Sequence, residues 1–236
     1  MSVEELSADN IQSIPVDPIV ETGNRSEFIN KTYTHLLGAI LLFAGIEYWI
    51  FSTPYAEQLA VFMLEKLWLA VQGGFIVVSW IATHVAHAVE SIGAQYAALV
   101  GFVVAEAIIF VPMFYIALMV GPEIIEYAVA ITLGAFVALT AIAMITGANF
   151  TFLRSFLVWS SLVALATIVL GAAIGFHLGT YFSMGMIGIA GASILYDTSK
   201  IMRDYPDDRY VAAAMQLLAS IALMLWYVLR LFLSRR

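Results

Sequence analysis

Seven apolar runs, most of about 20 residues, fill almost all of the chain after residue 31, and about 20 residues is what an α-helix needs to cross a bilayer core. The runs are read at Tyr33–Phe51, Leu67–Val89, Tyr96–Met119, Glu126–Thr146, Phe152–Phe176, Tyr181–Tyr196 and Tyr210–Leu233. Inside lipid each backbone N–H and C=O must be satisfied within its own segment, so an open chain of this kind crosses as helices. The composition agrees: 62% of residues are hydrophobic and 11% charged, against roughly 45–50% and 25% in soluble domains. The expected fold is an all-α polytopic membrane protein with seven transmembrane helices. Residues 32–236 form its single domain.

The net charge of −7 says little about partners, because Glu4, Glu5, Asp9, Asp17, Glu21 and Glu27 crowd the first 31 residues against only Arg25 and Lys31. That stretch, with Pro15 and Pro18, has little apolar surface to bury and reads as a disordered acidic tail over 1–31. No pattern of a cleaved signal precedes the first run, which is expected to stay as an uncleaved span. The chain has no cysteine, which excludes disulfides and thiolate-held metals. No basic stripe interleaved with aromatics suggests nucleic acid. The longest connection, Ser52–Lys66, leaves no room for a catalytic domain outside the membrane.

Lys and Arg set the orientation. With the N-terminus in the cytoplasm, the inner side carries Arg25, Lys31, Arg154, Lys200, Arg203 and Arg209, and the outer loops only Lys66. Arg230, Arg235 and Arg236 then fall outside, against the trend; a full seventh crossing is favoured over a re-entrant one because Tyr210–Leu233 is long enough to span. Gly171, Gly175 and Gly179, and Gly185, Gly188 and Gly191, have the small-residue spacing that lets helices approach closely. Packing within the chain is favoured over a dimer face.

An ionisable side chain at a helix centre in lipid costs roughly 2.5–3.5 kcal/mol on insertion scales, so each one asks for a reason. Glu106, near the middle of the third run, is a candidate cation- or proton-responsive group; the plainer reading is a neutral carboxyl bonded between helices. Pro112 is expected to kink that run. Glu47, beside Tyr48 and Trp49, is expected at the interface, reaching headgroups or water. Asp197 closes the sixth run with Lys200 and Arg203 following, which by itself suggests pairing along the helix surface. His84 and His87, three apart at the end of the second run, are secondary candidates for a pH-responsive pair. No third ligand lies in reach, so no metal site is expected. They read as interfacial histidines, as do His35 and His177.

Four stretches together resemble the Bax inhibitor family, in particular its bacterial YccA-like branch. They are Phe28-Ile29-Asn30-Lys31-Thr32-Tyr33 at the start of the first run, Glu106 to Pro112 in the third, Asn149-Phe150-Thr151-Phe152-Leu153 before the fifth, and Ile194-Leu195-Tyr196-Asp197-Thr198-Ser199-Lys200-Ile201 closing the sixth. The last is similar to the family's aromatic-Asp/Glu-Thr-x-x-Ile signature. The likeness covers about residues 28–233. It implies two three-helix groups wrapped around a central last helix. In some members a carboxylate on the sixth span and another on the seventh share a proton and gate a calcium leak. Asp197 matches the first of these, and Ser220 stands where the second would fall, so the two-carboxylate latch is incomplete.

The resemblance therefore implies a non-enzymatic modulator, and slow substrate, of membrane-protein quality control by an FtsH-type protease in the bacterial inner membrane. The alternative is a pH-influenced calcium or cation leak using Asp197 and Glu106, with Ca2+ as the permeant ion and no bound cofactor. A third class, an intramembrane metal hydrolase, is disfavoured: Ser79 is five residues from His84 rather than four, and the last run contains no histidine.

Overall fold

A computed structural model describes residues 18–67, 91–175 and 179–234. Among the described residues the chain is helical and contains no strand. In chain order the helices are α1 (Pro18–Phe51), α2 (Ala56–Phe62, running into a π-helical turn Met63–Leu67), α3 (Ile92–Val120), α4 (Glu123–Thr146), α5 (Leu153–Ile174), α6 (Thr180–Arg203) and α7 (Tyr210–Leu233). Five of them, α1 from Arg25, α3, α4, α5 up to Gly171, and α7, are long and apolar enough to cross a membrane. The sixth run is a helix of similar length, 24 residues, whose polar positions turn inward at Ser183, Asp197, Thr198 and Ser199. The second run lies mostly outside the described residues.

Two sequence readings change. The helix of the first run begins at Pro18 rather than Tyr33, so residues 18–31 are not a disordered tail. Phe28 is 1% exposed within the core, and Arg25 docks onto the far end of α6, as described below. The connection Ser52–Lys66 is itself largely helical, leaving only Ser52–Tyr55 between α1 and α2. The buried Ala56 and Ala60 of α2 pack with Ile50 and Val111, and that apolar contact explains why the segment folds instead of looping.

Helix α7 is the axis of the bundle. It packs on α6, α1, α4 and α3, and 72% of its apolar window is buried against 6% for α5. Lipid tails are as apolar as leucine, so helices associate in a membrane through close packing and polar contacts. Ala212, Ala213 and Ala214, all fully buried, supply the small surface that lets neighbours crowd α7. Above them Phe110 meets Phe43 and Trp226 edge-on, each with ring centres 5.3 Å apart, which ties α1, α3 and α7 together. α3 continues through Pro112, which is buried.

Helix directions follow from the contacts at the ends. Lys31 and His35, early in α1, lie against Tyr210 at the start of α7, so α1 and α7 run parallel. Ser234 after α7 meets Thr180 at the start of α6, at 3.2 Å between hydroxyls, so α6 runs opposite. The start of α1 and the end of α7 therefore lie at opposite ends of the bundle, as an odd number of crossings requires. α7 is one unbroken helix, about 36 Å long at 1.5 Å per residue.

Gly191 makes a close approach: a β-carbon there would lie 3.3 Å from Leu139 of α4 and 3.7 Å from Met224 of α7. Gly175 serves a different purpose. With φ of 72° it ends α5 in the left-handed conformation, where glycine carries no steric penalty, so Gly171–Gly175–Gly179 is not a continuous packing stripe.

Candidate functional site

Asp197 lies on the penultimate turns of α6 and is 1% exposed. Burying a carboxyl without a partner is costly, and α7 supplies one: Ser220 Oγ donates to Asp197 Oδ2 at 2.6 Å, fully buried. The pairing along the helix surface does not form. Lys200 Nζ instead rests 4.9 Å from the centre of the Tyr205 ring, and Arg203 donates to the carbonyl of Gly147. Tyr205 is itself buried, and that burial, with the Asp197 charge nearby, pushes its phenol up, so Lys200 sits on a neutral ring. Such cation–π contacts contribute about 0.5–1 kcal/mol at exposed sites.

Asp197 lines a groove of about 540 Å3 between α5, α6 and α7, together with Arg154, Ser161, Ser193, Lys200 and Gln216. The end of α6 that carries it is held from two sides. Ser199 Oγ accepts from the Phe150 N–H at 3.0 Å and donates to the Ala148 carbonyl at 3.3 Å. In that same connector Asn149 Oδ1 accepts from the Thr151 N–H at 2.9 Å, fixing the turn into α5. On the other side, the Arg25 guanidinium donates to the carbonyls of Ile201, Met202 and Tyr205 and to Asp207. The last carbonyls of a helix have no partner within it, and a forked cation from α1 satisfies them.

A Phe-x-x-Lys start, a docked connector and an Asp-bearing sixth helix closed against a central seventh now stand in one geometry. The family model for inhibitors of apoptosis-promoting Bax1 matches residues 25–236. The chain belongs to the Bax inhibitor family. No curated protein matches it. The family match begins at Arg25, the residue that pins α1 to the end of α6.

Within this Bax inhibitor chain the sequence candidates divide. Asp197 and Ser220 are brought into contact. Glu106, 5% exposed, is not brought to them. It lines a separate, almost wholly apolar cavity of about 250 Å3 between α1, α3, α4 and α7. On α7 that cavity is lined by Leu218, Ile221, Ala222 and Leu225. Ser220 is two positions beyond Leu218, about 200° round the helix, so α7 turns one face to each site. His84 and His87 lie outside the described residues, as does His177. Among the described residues no group of three acidic or histidine side chains is placed to hold a metal ion. His35 joins Lys31 and Tyr96: Nδ1 lies 2.7 Å from the Lys31 carbonyl and Nε2 contacts the Tyr96 hydroxyl.

Glu47 requires a correction. Its neighbours Tyr48 and Trp49 are 79% and 67% exposed, but Glu47, expected to reach headgroups or water, is 5% exposed and lines the Glu106 cavity. The spacing contained the signal. Ile40, Phe43, Ala44 and Glu47 recur at helical intervals and line one cavity, whereas the aromatics beside Glu47 are exposed. Arg25, Gln216 and Thr132 were not singled out from the sequence either. Thr132, 1% exposed, lines the same cavity from α4.

Proposed function

We propose that this Bax inhibitor family protein is a non-enzymatic modulator of membrane-protein quality control of the YccA-like kind. In this reading it partners an FtsH-type protease in the bacterial cytoplasmic membrane, with its N-terminus in the cytoplasm. The observation that carries the reading is the Ser220–Asp197 hydrogen bond. A hydroxyl stands where calcium-leaking members place a second carboxylate. Two carboxyls in contact force a proton to be shared and so respond to pH as a pair; a carboxyl and a hydroxyl do not. The latch between α6 and α7 is then a constant clasp. The alternative, a cation leak through Asp197 and Glu106, is weakened because α7 separates the cavities that these residues line.

The test of the latch is calcium flux in liposomes containing the full chain. The unmodified protein should show little pH dependence between about pH 6 and 8, and Ser220→Asp should introduce a pH-dependent flux. Steep pH gating in the unmodified protein, or a folded Ser220→Asp protein that gains no response, refutes the reading. For the protease arm, residues 1–17 serve as the initiation handle. Removing them stops short of α1 and spares Arg25. The truncated protein should insert normally and live longer in cells that carry the protease; an unchanged lifetime counts against the handle.

A further inference from the structure

The cavity between α1, α3, α4 and α7 has a composition that the latch does not explain. Its walls are aliphatic and aromatic, yet two carboxyls face it, Glu47 from α1 and Glu106 from α3, with the Thr132 hydroxyl on α4. Both Glu47 oxygens and Thr132 Oγ1 are buried with no hydrogen-bond partner among the described residues. Among the described residues no Lys, Arg or His lines the cavity. Unpaired buried acceptors of this kind are destabilising unless a donor arrives from elsewhere.

We propose that this cavity binds a small lipophilic organic cation, an aryl- or alkylammonium, with Glu47 and Glu106 as its counter-ions. Ligand sites are mostly apolar with a few polar groups that fix orientation, and this cavity is built that way. The ammonium meets Glu47 and Glu106; the apolar body rests on the walls, where Phe43 and Phe114 present aromatic surface suited to a cation. A calcium ion is a poor fit, because it takes about 6–8 oxygen ligands and the cavity offers two carboxyls and one hydroxyl in otherwise greasy surroundings. The route in is lateral. Ala44 and Leu133, on α1 and α4, line the cavity and are exposed on the outer surface of the bundle, where a lipophilic cation dissolved in the bilayer meets them. The site uses the face of α7 opposite Ser220 and does not depend on the latch.

The experiment is equilibrium binding of radiolabelled benzyltrimethylammonium to the full chain in lipid nanodiscs, with empty nanodiscs subtracted. One saturable site is expected. Neopentylbenzene, the same shape with carbon in place of the charged nitrogen, should not compete, and neither should calcium. Glu47→Gln and Glu106→Gln keep the shape of the side chain and should each weaken binding about tenfold or more. Ala44→Phe narrows the mouth with both carboxyls intact and should have a similar effect even if a Gln variant folds poorly. Glu126→Gln, at an exposed carboxyl on α4, should bind as the unmodified protein does. Absence of saturable binding, competition by neopentylbenzene, displacement by calcium, or full affinity in both Gln variants each overturns the proposal.

Discussion

Two sets of buried carboxyls flank α7, and they are treated in opposite ways. On the α6 side, Asp197 receives a hydroxyl donor at 2.6 Å and faces a polar groove with Arg154, Lys200 and Gln216. On the α1 side, Glu47 has no donor among the described residues and faces hydrocarbon walls. The first arrangement is satisfied by the protein and closes a helix–helix contact. The second leaves its acceptors waiting. The depth of burial is alike, 1% exposure for Asp197 and 5% for Glu47 and Glu106, so burial alone does not tell a structural carboxyl from one open to a ligand. The partner list does.

That contrast predicts opposite signs for mutations on its two sides. The largest effect belongs to the clasp. Ser220→Ala removes the one donor that Asp197 has among the described residues and strands a buried carboxyl, which should lower stability by about 2–3 kcal/mol, read as an earlier unfolding midpoint in detergent. A double-mutant cycle with Asp197→Asn should show strong coupling; additive effects would mean that the hydrogen bond contributes little. Next comes Arg25→Met, which keeps the stem of the side chain and removes the donors to the end of α6. About 2 kcal/mol of destabilisation is expected, with hydrogen exchange rising first at residues 201–205. Uniform exchange along the chain would contradict a local staple. The smallest effect has the reverse sign. Glu47→Leu replaces unpartnered acceptors by apolar surface in an apolar cavity and should stabilise the protein by about 1 kcal/mol. A loss of stability at Glu47 would show that it does have a partner and would dissolve the contrast.

Much of this was legible in the residues. Hydrophobic runs gave the helices, because lipid leaves the backbone no other open-chain solution, and the family resemblance at the Asp197 stretch implied a contact with Ser220 between α6 and α7. The start of α1 escaped because acidic residues and prolines mask a helix that is stabilised by tertiary contacts, Phe28 in the core and Arg25 on α6. Composition does not register such long-range partners. Glu47 escaped for a more local reason. Its aromatic neighbours signalled the interface, but successive helical residues point about 100° apart, and the periodic stripe carried the right answer. The faces of α7 were invisible in principle, since nothing in the sequence says which neighbour each stripe meets.

The Arg25 staple also has a mechanical consequence. Its guanidinium grips the carbonyls of Ile201, Met202 and Tyr205, so tension applied to the chain ahead of α1 is not absorbed by α1 alone. It passes across the bundle to the final turn of α6, a few residues beyond Asp197. A tug on one end of the polypeptide is thereby delivered close to the Asp197–Ser220 contact, some 170 residues away along the chain but within one helix end in space.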